Sequence, residues 1–117
     1  MTTGEFCNRQ VVIARRDERV AEAARRIREF HVGTLIVVDD QDGRRIPVGL
    51  LTDRDLVVRV LTGDGHDIET LVVDNVMTRE LVTVPEQESL FDALKKMRSF
   101  GVRRLPVINE YGGLEGC

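Results

Sequence analysis

Residues 9–43, RQVVIARRDERVAEAARRIREFHVGTLIVVDDQDG, return 70 positions later (79 − 9) as residues 79–113, RELVTVPEQESLFDALKKMRSFGVRRLPVINEYGG, with no gap in the alignment. Ten of the 35 aligned positions are identical: Arg9/Arg79, Val12/Val82, Glu18/Glu88, Ala23/Ala93, Arg28/Arg98, Phe30/Phe100, Val32/Val102, Leu35/Leu105, Val37/Val107 and Gly43/Gly113. Others stay apolar in both copies, among them Val11/Leu81, Val20/Leu90, Ile27/Met97 and Val38/Ile108. Helical periodicity alone would not hold one register through a helix, a strand and a turn. The chain is a duplicated supersecondary unit.

Working outward from that frame, each copy has the same order of elements. Val11 to Ala14 is a short apolar run that predicts a strand. Asp17 is the expected helix N-cap, with acidic Glu18 in the first turn. Val20, Ala23, Ala24, Ile27 and Phe30 follow at helical spacing. Arg19, Glu22, Arg26 and Glu29 mark the opposite, solvated face, with Glu22 and Arg26 in the favourable i,i+4 order. His31-Val32-Gly33 ends the helix, and His31 is read as a partner of its C-terminal dipole. Leu35 to Val38 predicts a buried strand, Asp39 to Gly43 a turn with Gly43 free to take positive φ, and Ile46 to Leu51 the return strand. A second helix is expected over Asp53–Leu61 with Leu56, Val57 and Val60 inward. A glycine-rich connector, Thr62 to Asp67, leads to the second copy.

The second copy opens at Asp74-Asn75-Val76-Met77-Thr78. Its helix is expected over Glu88–Phe100, with Leu90, Ala93, Leu94 and Met97 inward, and its buried strand over Leu105–Ile108. Pro106 limits hydrogen bonding there. Met77 and Met97 are expected to fill the core. With a three-residue deletion in the turn, Gly116 aligns with Gly49. The second copy then stops as it enters its return strand and lacks the closing helix. On its own the chain is expected to expose a sheet edge and apolar surface, covered by further chain or by a partner subunit.

Composition narrows the function classes. The chain is 42% hydrophobic and 32% charged, with mixed signs and a net charge of −3, which fits a folded domain rather than a disordered one. A net negative chain does not look like a general nucleic-acid binder. No apolar stretch approaches the roughly 20 residues of a membrane span, and Met1 to Cys7 has no signal-peptide pattern, so a cytoplasmic protein is expected. Cys7, Cys117, His31 and His66 show no metal-ligand spacing, and the two cysteines are expected to be free thiols. No nucleophile–base–orienter motif is evident. Gly63-Asp64-Gly65 lacks the strand-then-helix setting of a phosphate loop. No catalytic residue and no required cofactor are assigned.

Three segments in this order, Gly49-Leu50-Leu51-Thr52-Asp53-Arg54-Asp55, Asn75-Val76-Met77-Thr78 and Phe100-Gly101-Val102-Arg103-Arg104-Leu105-Pro106-Val107-Ile108, lie on the duplicated β-α-β-β-α frame. Together they resemble the cystathionine-β-synthase (CBS) module. The resemblance implies an α/β (α+β) tandem CBS pair, two β-α-β-β-α repeats about a pseudo-twofold axis, with module 1 over residues 1–65 and an incomplete module 2 over residues 66–117. Glu5-Phe6-Cys7-Asn8 departs from the pattern where the second copy has Asn75-Val76-Met77-Thr78.

The resemblance also implies function by binding. In the family, clefts between paired modules often hold AMP, ADP, ATP or another adenosyl ligand, and the Thr and Asp of Thr-x-x-Asp contact the ribose and phosphate. Carried over, these are Thr52 and Asp55. A carboxylate can accept from both hydroxyls of a cis-diol, with charge-assisted strength. Arg103 and Arg104 match the family positions that face the same cleft, and guanidinium suits phosphate. Leu81, Val82 and Val48 are expected against the adenine. In the equivalent second cleft Gly33 and Thr34 replace the arginines and the Thr-x-x-Asp lies beyond Cys117, so one site is expected rather than two. Thr52-x-x-Asp55 is equally a helix-capping pattern and is expected to serve both roles, while Arg103-Arg104 also reads as a solvated pair at a corner. Asp53 and Arg54 are expected at the surface. The sequence therefore points to a nucleotide-sensing regulatory homodimer. Its alternatives are a ligand-free dimerisation scaffold and, more weakly, a nucleic-acid binder through its arginines.

Overall fold

The apolar run Leu35 to Val38 has no polar side chain to present to water, and all four residues are buried. They lie within a strand of the computed structural model, which describes residues 1–61 and 69–117. The connector Thr62 to Asp67, His66 and the expected module boundary at 65/66 fall outside the described residues. The elements are α1 (Thr3–Phe6), β1 (Ile13–Arg15), α2 (Val20–Phe30), β2 (Thr34–Gln41), β3 (Arg44–Thr52) and α3 (Asp53–Asp55), which continues as a π-helix over Leu56–Leu61. They are followed by α4 (Val73–Val76), β4 (Val84–Pro85), α5 (Leu90–Phe100), β5 (Val107–Ile108) and β6 (Leu114–Gly116). The fold is mixed α and β, as expected.

The two sheets repeat one another. The first runs β1-β2-β3 and the second β4-β5-β6. β1 pairs parallel to β2, with Ala14 opposite Val37 and Arg15 opposite Val38. β4 pairs parallel to β5, with Val84 opposite Val107 and Pro85 opposite Ile108, the same pairs after the shift of 70. A two-residue turn joins β2 to β3, with Asp42 at φ 51° and Gly43 at φ 78°; positive φ at both positions matches the twist of the flanking strands. β5 covers only Val107–Ile108 of the expected Leu105–Ile108, because Pro106 has no N–H for the ladder.

The residues divide into two compact units, and the division is not sequential: residues 1–11, 40–47 and 82–117 form one, residues 12–39 and 48–81 the other. Reciprocal hydrogen bonds explain the pattern. In the second unit the N–H of Val20 donates to the carbonyl of Leu71 (2.9 Å), Val73 to Glu18 (2.8 Å) and Asp74 to Arg16 (2.9 Å). In the first unit Leu90 donates to Met1 (3.0 Å), Thr3 to Glu88 (2.8 Å) and Gly4 to Glu86 (2.8 Å). These are the same bonds shifted by 70. Each copy's opening segment is held by the start of the other copy's long helix. The departure at Glu5-Phe6-Cys7-Asn8 is therefore one of sequence and not of conformation. α1 has the place of α4, capped by mutual hydrogen bonds between Thr2 and Glu5.

Each unit has its own core. In the second, Ala14, Val20, Ala23, Leu35, Val37, Leu51, Val60, Val73, Val76 and Met77 pack together. In the first, Val84, Ala93, Leu105 and Val107 do so, with Met97 partly buried against them. The Gly116/Gly49 alignment is seen directly. A Cβ on Gly49 would lie 2.6 Å from the Thr78 carbonyl oxygen, and one on Gly116 2.7 Å from that of Asn8. The next residues pair in both directions, Leu50 with Thr78 (2.9 and 2.8 Å) and Cys117 with Asn8 (3.0 and 3.1 Å).

Several expectations need correction. β1 lies at Ile13–Arg15 rather than Val11–Ala14. The cap of α2 is Arg19, without a side-chain bond, and not Asp17; Glu18 is committed elsewhere, to Arg26 and to the N–H of Arg15. That commitment also removes the expected Glu22–Arg26 pair, and Glu22 pairs with Arg25. His31 is a left-handed C-cap at φ 53°, and it sits where the second copy has Gly101 at φ 65°. α5 begins at Leu90, capped by Ser89. Phe30, Leu94 and Val57 are exposed rather than inward. The widened i→i+5 turn leaves Leu56 and Val60 as the inward pair of the last helix of the first copy.

Candidate functional site

β3 ends on Thr52, which has extended backbone and starts α3. The Thr52 hydroxyl oxygen accepts from the Asp55 N–H (3.0 Å), and Asp55 Oδ2 accepts from the Thr52 N–H (3.0 Å). This reciprocal cap satisfies two orphan donors of the helix start and places a carboxylate at the positive end of the helix dipole. The capping reading of Thr52-x-x-Asp55 is thus realised.

Two further groups hold the same carboxylate. Thr78 Oγ1 donates to it, 3.1 Å from Oδ1 and 3.3 Å from Oδ2. Arg59 Nε stands 3.8 Å from Oδ1, while its Nη1 donates to the carbonyls of Val76 (3.2 Å) and Met77 (3.0 Å). Asp55 is 8% exposed. A buried carboxylate is costly unless paired and hydrogen-bonded, and here one backbone N–H, one hydroxyl and one guanidinium meet that need. A carboxylate offers about four acceptor positions, and of the partners here the Thr78 hydroxyl is the one whose side chain can turn away.

The other expected site residues are more dispersed. Val48 lies on β3, half-buried against the larger core, and Val82 is half-buried against the smaller one. Leu81 is half-buried in the segment before β4. Thr52, Asp55, Val48 and Leu81 belong to one unit, and Val82, Arg103 and Arg104 to the other. Arg103 and Arg104 are exposed between α5 and β5, and neither forms an ion pair among the described residues. Asp53 and Arg54 are at the surface, as expected. Sequence reasoning quoted Thr78 without giving it a role, and it passed over Arg59. The one available signal was the i,i+4 spacing of Asp55 and Arg59.

Cys7 and Cys117 are free thiols, and burial pushes Cys117 up from its ordinary value. Among the described residues no group of three or more His, Cys, Asp and Glu side chains could hold a metal ion. No helix among them is long and apolar enough to cross a membrane.

With this geometry in view, comparison with known proteins is informative. The family model for the CBS domain matches residues 4–62 and 73–117. A protein of Methanopyrus kandleri is 31% identical over 116 residues, 99% of this chain and 57% of its own length. The chain spans 57% and 64% of the first two curated relatives it matches. Among solved structures, Hypoxic Response Protein I with two coordinated zinc ions superposes with a TM-score of 0.81 at 32% identity, over 99% of this chain and 90% of that one. CBSX2 in complex with AMP superposes with a TM-score of 0.79 at 27% identity, over 98% and 87%. A hexameric CBS-CP12 protein from bloom-forming cyanobacteria gives 0.78 at 28% identity, over 99% and 65%.

Proposed function

The chain belongs to the CBS domain family and is a pair of CBS domains, a regulatory module; we propose that it senses an adenine nucleotide, AMP, ADP or ATP, and carries out no chemistry of its own. The observation that carries the proposal is the Asp55 carboxylate, fixed at a helix start by its reciprocal cap with Thr52. In this reading Asp55 and Thr52 take the ribose hydroxyls, Arg103 and Arg104 take phosphate, and Leu81, Val82 and Val48 face the base. The AMP complex of CBSX2, a structure of the same fold, supports an adenine ligand. Binding acts by population shift, which needs only different affinities for two states of the module.

The test is a thermal-shift panel with AMP, ADP, ATP, GMP, NADH and S-adenosylmethionine. A ligand at 100 times its dissociation constant adds about 2.7 kcal/mol, several degrees for a chain of this size. Adenine ligands alone should raise Tm. Asp55→Ala is a poor control because Asp55 also caps α3 and anchors Thr78 and Arg59. The informative variant is Arg103→Ala with Arg104→Ala, which touches exposed side chains only and should lose the shift while keeping the ligand-free Tm. No shift with any ligand would reject the reading.

A second reading, a ligand-free scaffold or homodimer, draws on Phe91 (66% exposed) and Leu94 (53% exposed) on the outer face of α5. Self-association of a CBS relative, the hexameric CBS-CP12 protein, agrees with it. Mass that rises with concentration, falls in Phe91→Ser and ignores nucleotides would favour this reading.

A further inference from the structure

Thr78 joins Asp55 across 23 residues of sequence, and no role in ligand binding has been given to it. Its backbone is fixed. It exchanges both hydrogen bonds with Leu50, and the adjacent Met77 carbonyl is held by Arg59. Gly49, with no Cβ, lets the Thr78 carbonyl approach to a distance that no other residue allows. Only the side chain is free to choose a partner, and it chooses the carboxylate.

The geometry of that choice matters. One hydroxyl spans both carboxylate oxygens, at 3.1 and 3.3 Å. That edge is the one across which a cis-diol donates, one hydrogen bond to each oxygen. A single hydroxyl carries one proton and satisfies the edge incompletely, yet it occupies the position. The remaining oxygen capacity faces Thr52 N–H and Arg59.

We propose that Thr78 is a positioning residue that gates the site: its hydroxyl stands in for the ribose diol on Asp55 and must swing away for a nucleotide to bind. The inference rests on the reading of Asp55 as the ribose ligand. The hydroxyl turns about χ1 alone, so the Leu50–Thr78 pairing survives the exchange. The gate makes the empty site self-satisfied and sets a threshold, since one donor from the ligand only replaces the donor it displaces and a net gain needs the second hydroxyl of a diol.

The test is calorimetric titration of the full chain with AMP and with 2′-deoxyadenosine monophosphate, for the wild type, Thr78→Val, Thr78→Ser and Asp55→Asn. Removing one competing hydrogen bond should tighten AMP about fivefold in Thr78→Val. Thr78→Ser, which keeps the hydroxyl, should bind AMP as the wild type does. The deoxynucleotide displaces the same hydroxyl and should gain by the same factor, and the rescue by Thr78→Ser is a result that a merely structural role would not produce. Should Thr78→Val fold poorly, Thr78→Ala is expected to tighten AMP in the same direction. Equal or weaker AMP binding in Thr78→Val, with binding lost in Asp55→Asn, overturns the gate and leaves the Asp55 reading standing. Wild-type affinity in Asp55→Asn, or no AMP binding by any variant, overturns both.

Discussion

Glu18 and Glu88 hold the same place in the two copies and have different partners. Glu18 receives both amino groups of Arg26 and the N–H of Arg15, while Arg26 also reaches the Ile13 carbonyl (3.0 Å). In the second copy Pro85 replaces Arg15 and has no N–H, and Lys96 replaces Arg26. Its single ammonium goes to the Thr83 carbonyl (3.0 Å), leaving Glu88 Oε2 buried and without a hydrogen-bond partner among the described residues. A guanidinium forks where an ammonium does not. Lys96→Arg should therefore stabilise the chain by about 1 kcal/mol, seen as a higher Tm, and a lower Tm would contradict this account of Glu88. Burial pushes the Glu18 carboxyl up, but Arg26 and the Arg15 N–H outweigh it and hold it below its ordinary 4.5. A depressed carboxyl contributes stability that is present above the unfolded value and lost as pH falls through the folded one. Wild-type Tm should thus drop more steeply below pH 4.5 than that of Glu18→Gln, and parallel acid limbs would contradict the pairing. Thr52 and Asp55 were legible because a cap is written in local spacing. Thr78 was not, because its bond to Asp55 exists only once the chain has folded back.

At the scale of elements, continuous apolar runs were the clearest signal. Leu35 to Val38 is buried throughout, and the strands of the two copies keep one register. Boundaries moved where a side chain had a tertiary obligation, as Glu18 does, or where proline withheld a donor, as at Pro106. The π-helix over Leu56–Leu61 was not legible, since 3.6-residue periodicity has no way to announce an i→i+5 bond, and Val57 was accordingly misplaced. At Gly49 the β3 backbone comes close to the Thr78 carbonyl. Gly49→Ala would drive a Cβ to 2.6 Å from the Thr78 carbonyl, forcing the Leu50–Thr78 pair apart. A loss of about 1–3 kcal/mol is expected, measured by urea denaturation, and an unchanged midpoint would show that this contact yields easily.

The whole molecule is organised by exchange. The two copies follow one another along the chain, and each compact unit draws residues from both, because each opening segment bonds to the helix start of the other copy. No periodicity in the sequence encodes that exchange; it needs the helix starts, Glu18 and Glu88, to present their carbonyls to Val73 and Thr3. Removing residues 1–8 should therefore expose the Leu90 amide, which donates to Met1, while the Val20 amide, bonded to Leu71, stays protected. Residue-resolved hydrogen exchange reads this directly, and equal protection of Leu90 with and without the segment would contradict it. The central claim, that this regulatory pair answers to an adenine nucleotide, is tested most directly by calorimetric titration of the full chain with AMP against GMP. The account predicts saturable AMP binding near micromolar, about −8 kcal/mol, weakened by Arg103→Ala with Arg104→Ala and absent for GMP. No AMP binding, or equal binding of both nucleotides, would contradict it.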